Sequence, residues 1–282
     1  MASTAVVPVL SESPRHTPLC KHAQGEPEEY AAVAAQRGLA GLIVTCHNPP
    51  IDEWSPGVRM ADAEFDGYVQ MVERAQQAWA GRVDVRLGLE CDYVPGMERG
   101  LAEQLGRAEF HHVLGSVHPQ IAQYKERYFT GDVVAFQRTY FEHLALAAET
   151  GLFDTLAHPD LVKNEFPQAW EPARLADTLA ASLDRIAAAG TAMELNTSGL
   201  QKKLPEMNPG HTILAGMQAR GIPVVLGADA HTPQRVAADY TPALRLLQSV
   251  GYTHVSLFLN RQRQEIAIET ALRSLEGVAP AV

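Results

Sequence analysis

The sequence predicts an α/β protein of one domain, built as one parallel barrel or one doubly wound sheet. Three observations predict it. Short apolar runs alternate with longer amphipathic stretches along the whole chain. No linker, repeat at the 20 to 50 residue scale or low-complexity tract divides that pattern. The length of 282 residues suits a single α/β barrel.

The elements run in order along the chain. Residues 6–10 read as a short apolar strand. Residues 41–47 (GLIVTCH) are a buried strand, because their apolar run is continuous rather than alternating. Residues 62–79 read as a helix with Phe65, Val69, Val72 and Trp79 near one face, and Asp62 is placed to cap it. Strands come next at 83–92, 112–118, 153–160, 192–199, 223–231 and 254–260. Helices are expected at 97–108, 133–150, 172–189, 211–220 and about 241–250, and one more ends the chain. Gly151 and Gly190 stand where two of these helices should stop. The polar stretch 119–132 reads as a long loop that can cover a site.

Composition narrows the function. A formal net charge of -10 argues against nucleic acid as the main partner. No apolar run is long enough for a membrane span, and the first ten residues lack a signal-peptide pattern. Cys20, Cys46 and Cys91 suggest no disulfide framework and a reducing, cytoplasmic setting. Each lies within two residues of a His or Glu and reads as a small, half-buried filler. Oligomeric state has no signature here.

The informative feature is where the polar residues fall. GLIVTCH ends in His47, VRLGLE in Glu90, VLGSVH in His118, FDTLAH in His158, and VVLGADAH in Asp229 and His231. The carboxyl ends of parallel strands form the ligand face of such folds. Five strands therefore deliver imidazole or carboxylate to one rim, and HTPLCKHA adds His16 and His22 after the first strand. Six histidines, one glutamate and one aspartate exceed the four ligands of one tetrahedral zinc. They fit two or three divalent ions bridged by Glu90 or Asp229, with Zn, Mn or Fe equally compatible. The other histidines (His111, His112, His143, His211, His254) read as solvated or structural. Glu194 suits a place behind the ligands or in packing, and Asn196, Thr197 and Ser198 end their strand where they can bond substrate or make a turn.

Seven stretches, HTPLCKHA, GLIVTCHNP, GLECDYVPG, VLGSVH, FDTLAHPDLVK, MELNTSGL and LGADAH, resemble in order and spacing the PHP (polymerase and histidinol phosphatase) superfamily. The resemblance is to its monofunctional histidinol-phosphatase branch, over about residues 10–260. It implies a distorted (β/α)7 TIM-like barrel in a single domain, residues 1–282, with a trinuclear metal centre. It implies hydrolysis of L-histidinol phosphate to L-histidinol and phosphate in histidine biosynthesis. Carried over by motif, the implied ligands are His16, His22, His47, Glu90, His118, His158, Asp229 and His231. The family's opening pair of histidines is interrupted, because Pro14 stands in place of the first. Its Thr-Asp-His is Thr45-Cys46-His47 here.

Phosphate monoesters hydrolyse so slowly unaided that enzymes supply up to ~10²¹-fold acceleration. Clustered metals neutralise phosphate oxygens and activate water, and the resulting hydroxide attacks phosphorus in line. Asp229 or His231 can handle the proton. Lys163, just past His158, and Arg235, just past His231, are candidate phosphate cations, with Asn196 and Ser198 as further substrate contacts. Two other readings stay open: another phosphoesterase or an amidohydrolase on the same scaffold, or a metal-binding protein without activity because of Pro14.

Overall fold

A computed structural model describes residues 9–13 and 16–276. Strands β1 (Ser11–Glu12), β2 (Gly41–Val44), β3 (Asp84–Asp92), β4 (His112–Ser116) and β5 (Thr155–Leu156) are followed by β6 (Ala192–Asn196), β7 (Val224–Gly227), β8 (His254–Leu259) and β9 (Gln262–Ala267). They form one sheet in strict chain order. Neighbours from β1 to β8 are parallel, and only β8 and β9 pair antiparallel. A doubly wound sheet reverses its strand order at a switch point, and this sheet does not. The arrangement is that of a barrel wall.

Helices α1 (Pro27–Gln36), α2 (Phe65–Trp79), α3 (Glu98–Leu105), α4 (Ala122–Tyr128), α5 (Val133–Glu149), α6 (Ala176–Ala189), α7 (His211–Gln218), α8 (Tyr240–Val250) and α9 (Ile268–Ser274) accompany the strands. The four residues of β2 and of β7 are all buried, as expected for strands covered on both faces. Gly190 closes α6 at φ 73°, a left-handed residue that costs glycine nothing. Asp132 opens α5 by accepting the Val134 and Ala135 amides at 2.9 and 3.1 Å.

Several expectations need correction. The strand expected at 6–10 falls mostly outside the described residues, and pairing begins at Ser11. Asp62 does not cap α2; its carboxylate is taken by Arg107. The stretch 119–132 contains α4, whose Tyr124 is buried. Helix α1 and strand β9 are additions that the sequence pattern does not predict.

Among the described residues no ladder joins the last strands back to β1. The seam is crossed at the carboxyl end instead. His16 N–H donates to Ala230 O (3.2 Å) and Gln24 N–H to His231 O (2.9 Å). The buried Glu12 carboxylate accepts the Ala237 amide. At the opposite end the β8–β9 hairpin lies across the starts of β4 and β5. Its Arg261 bonds Asp154 and Leu152 O, and Phe258 stacks on His112 at 5.0 Å. His112 lies buried inside the barrel, with Ser13 Oγ at 3.0 Å and Thr155 Oγ1 at 2.8 Å on its two ring nitrogens.

Candidate metal centre

The chain just past β1, β2, β4, β5 and β7 brings donors together around Glu90 of β3. Its strand β3 is the longest parallel strand, and the carboxylate stands at the axis, 1% exposed. Four imidazoles face it. His16 Nε2 is 3.2 Å from Oε2, while His158 Nε2, His118 Nε2 and His47 Nδ1 are 3.4, 3.6 and 3.9 Å from Oε1. His16 Nε2 also lies 3.0 Å from Asp229 Oδ1, and His231 Nδ1 lies 3.6 Å from the same oxygen. His22 completes the ring, its centroid 4.7 Å from that of His231 and 5.6 Å from that of His47. All eight sequence-predicted donors are thus brought together. Pro14 lies outside the described residues.

Local backbone strain accompanies this convergence. His158 (φ 31°) and Asp229 (φ 48°) are both left-handed without being glycine. Such residues cost about 1–3 kcal/mol each and persist where surrounding structure over-determines them. His158 is held by Glu194, whose Oε2 accepts its amide at 2.8 Å.

Charge favours ions here. Burial pushes Glu90 toward its neutral form, but His47, His158 and His16 outweigh it and hold the carboxyl well below its ordinary range. Burial likewise opposes ionisation of Asp229, and His231, His16 and Lys202 overcome it. Burial and Arg59 drive His47 well below its ordinary value, against the pull of Glu90. For His16, burial opposes protonation, yet Asp229, Cys20, Cys46 and Glu90 raise it strongly, so a proton and a metal compete for that ring. Neutral imidazole beside carboxylate is the state a divalent ion requires.

The donors fit such an ion by another criterion. His47 Nδ1 and Glu90 Oε2 are buried without a hydrogen-bond partner. Buried polar atoms are rarely left so unless a ligand satisfies them. Among the described residues, three of the four groups with donor atoms within 4.8 Å of one another are drawn from these eight residues: His16, Glu90 and Asp229; His47, Glu90 and His118; His16, His47 and His231. Glu90 belongs to two of them, which suits a bridging carboxylate between at least two ions.

Residues absent from the sequence reading support the ligands. Asp92 Oδ1 lies 2.6 Å from His118 Nδ1 and turns Nε2 toward Glu90. Arg59 grips the same carboxylate from Nε and Nη2 at 2.7 and 2.8 Å. Ser116 Oγ–H donates to Glu90 Oε1 at 2.5 Å. Asp92 stands two residues past Glu90 on one strand, so strand alternation puts both on one face and could have revealed it. Arg59 comes from a loop with no such periodicity.

The four expected substrate contacts divide. Lys163 is fully buried, and its ammonium donates to Asp160 (3.0 Å), Glu206 (3.0 Å) and Met207 O (2.8 Å). Its three protons are spent, so it is a structural cation and not a phosphate ligand. Asn196 is also buried, donating to Glu194 Oε2 and accepting the Ser198 amide, so it caps the turn after β6 rather than facing substrate. Ser198 and Arg235 do reach the site: with Lys202 they line a cavity beside Asp229 and His231. Lys202, unexpected from the sequence, donates to Ser198 Oγ at 3.0 Å and lies 3.8 Å from Asp229 Oδ2. The cysteines are fully buried rather than half-buried.

A larger cavity of about 660 Å³ opens over the centre, floored by Glu90, His118, His158 and Asp229 and walled by Val58 and Ile121. No described helix is long and apolar enough to cross a membrane.

Comparison with known proteins agrees with this geometry. Residues 15–198 match the PHP domain model. A probable histidinol-phosphatase of Deinococcus radiodurans is 37% identical over 90% of this chain and 98% of its own. The histidinol-phosphatase of Bacillus subtilis is 23% identical over 80% of this chain and 94% of its own. The crystal structure of histidinol phosphate phosphatase from Lactococcus lactis, complexed with zinc, L-histidinol and phosphate, has the same fold. Its TM-score is 0.75 at 18% identity, covering 90% of this chain and 98% of that one. The strand-end donors, the barrel wall and the sequence match converge, and the chain belongs to the PHP-domain family.

Proposed function

We propose that this protein is a metal-dependent phosphoric monoester hydrolase that converts L-histidinol phosphate and water to L-histidinol and phosphate. The observation that carries the reading is the Glu90 carboxylate with four imidazole nitrogens within 4 Å of it, at the floor of an open cavity. The substrate is taken from the names of the relatives, and a cytoplasmic place in histidine biosynthesis goes with it.

His16, His22, His47, Glu90, His118, His158, Asp229 and His231 would hold two or three divalent ions. Bound there, such ions supply positive charge for the phosphate oxygens and acidify water. The protein's own groups do the rest. Asp229 is held as an anion, so it is not the group that protonates the leaving alkoxide. His231 and Lys202 line both cavities, and the leaving alkoxide takes its proton from their side of the site. Lys202 and Arg235 offer cations to the phosphate, and Ser198 positions Lys202. The Val58 and Ile121 wall covers the organic part of the ester.

The test is phosphate release from L-histidinol phosphate and from a panel of other phosphate esters, before and after chelation, with elemental analysis of the same samples. Expected are two or three metals per chain, loss of turnover on chelation, and preference for L-histidinol phosphate. Full turnover without metal refutes the mechanism. Equal turnover across the panel refutes the substrate. A metal-loaded protein that turns over nothing favours the inactive reading raised by Pro14.

A further inference from the structure

A pocket of soft donors lies directly behind the carboxylate–histidine centre. Cys20 ends the short turn Pro18–Cys20, and Cys46 precedes His47 just past β2. With His16 they form a group whose donor atoms all lie within 4.8 Å of one another. All three residues are at most 1% exposed. His16 Nε2 is turned to Asp229 and Glu90. That leaves Nδ1, also buried, for the sulphur side. A buried imidazole and two buried sulphurs, their donor atoms all within 4.8 Å of one another, make an arrangement that an ion can coordinate.

We propose that His16 Nδ1, Cys20 Sγ and Cys46 Sγ form a separate site for a thiophilic ion, zinc(II) or copper(I), alongside the oxygen-rich centre at Glu90. Two sulphurs and one imidazole select ions of that class over magnesium, calcium or manganese. On a tetrahedral ion at about 2.3 Å from each, two thiolates stand ~3.8 Å apart, within the observed spacing. Cys46 is held for the task. Thr17 Oγ–H donates to its sulphur at 3.1 Å, and its amide donates to Tyr68 Oη at 3.2 Å. Binding involves no electron transfer: each thiol and the last ring N–H of His16 release a proton to solvent as the ion enters. His16 then stands between two ions, Nε2 toward the carboxylates and Nδ1 toward the thiolates. Cys91, though buried one residue past Glu90, belongs to no donor group among the described residues.

The experiment uses the full chain, stripped of metal under reducing conditions and titrated with cobalt(II). Thiolate ligation gives a sulphur-to-cobalt charge-transfer band in the near ultraviolet, which carboxylate and imidazole ligands do not. The expected result is a band that saturates at one ion per chain, disappears in both Cys20→Ser and Cys46→Ser, and persists in Cys91→Ser. Elemental analysis should find one equivalent less metal in the first two variants, with circular dichroism confirming their fold. The wild-type spectrum decides the matter even where a variant does not fold. No band in wild-type protein at saturating cobalt overturns the proposal, as does a band untouched by either substitution. No turnover is read, so the phosphatase reading stands or falls separately.

Discussion

Replacing Lys163 by methionine separates two roles that its sequence position confounds. The side chain is fully buried and its ammonium is spent on Asp160, Glu206 and Met207 O. Methionine keeps most of the volume and removes the charge. Asp160, also fully buried, then keeps only the Asn208 amide and the Gly210 N–H as partners. Breaking a buried ion pair from one side costs about 3–5 kcal/mol, because the other charge is left uncompensated. At ~2.1 cal/mol/K per residue, unfolding 282 residues carries an entropy near 0.6 kcal/mol/K. The melting temperature should therefore fall by about 5–8 °C, measured by circular dichroism or calorimetry. Below that transition, KM for the phosphate ester should stay within about twofold of wild type. Adding Asp160→Asn should recover part of the loss, a coupling of roughly 0.5–3 kcal/mol. An unchanged melting temperature with kcat/KM down tenfold or more would show that Lys163 meets the phosphate after all.

Three further predictions test other parts of the structure. Lys202→Ala should lower kcat/KM by about 10–100-fold, roughly 1.4–2.7 kcal/mol of transition-state stabilisation, and leave the melting temperature within about a degree. Tyr68→Phe should cost about 1–3 kcal/mol by urea denaturation, because Tyr68 Oη accepts the Cys46 amide and lies 2.8 Å from the Val44 and Gly88 carbonyls. His112 is pushed down to about 3 by burial, so the unfolded chain binds a proton there first. Stability should fall as pH drops from about 6.5 toward 3, by about 1.6 kcal/mol between 6.5 and 5, and His112→Asn should remove that share of the slope in denaturant titrations.

The candidate metal donors are legible in the sequence because, Glu90 apart, each follows closely on a short apolar strand, at the rim where parallel strands end. Continuous apolar runs mark the strands, and the His, Glu or Asp that closes each run marks a candidate ligand, within the strand at Glu90 and two or three residues past it at His47, His118, His158 and Asp229. Residues farther along the following loop are less constrained. Lys163, five residues past His158, turns into a buried ion network, whereas Lys202, on the turn after β6, turns into the cavity. Spacing along the chain does not distinguish those outcomes. Asn196 misleads for a related reason: its amide satisfies the turn it stands in before it can reach a substrate. Arg59 comes from a loop with no period of its own. Strand β9 escapes notice because its first four residues are exposed on both faces, so it has no apolar alternation. Helix α1, with apolar residues crowded into small alanines, has little amphipathic signal.

The bonds that cross the seam have a consequence for assembly. His16 and Asp229, 3.0 Å apart, are separated by 213 positions in the chain. During synthesis six of the eight donors emerge long before Asp229 and His231, and His16 has no carboxylate partner from β7 until the last quarter of the chain is made. Contacts of such sequence separation form late, because the loop they close must be ordered first. The hydrolytic centre is thereby coupled to completion of the fold, and a prematurely released fragment carries an open cluster of histidines without the clasp that shapes it.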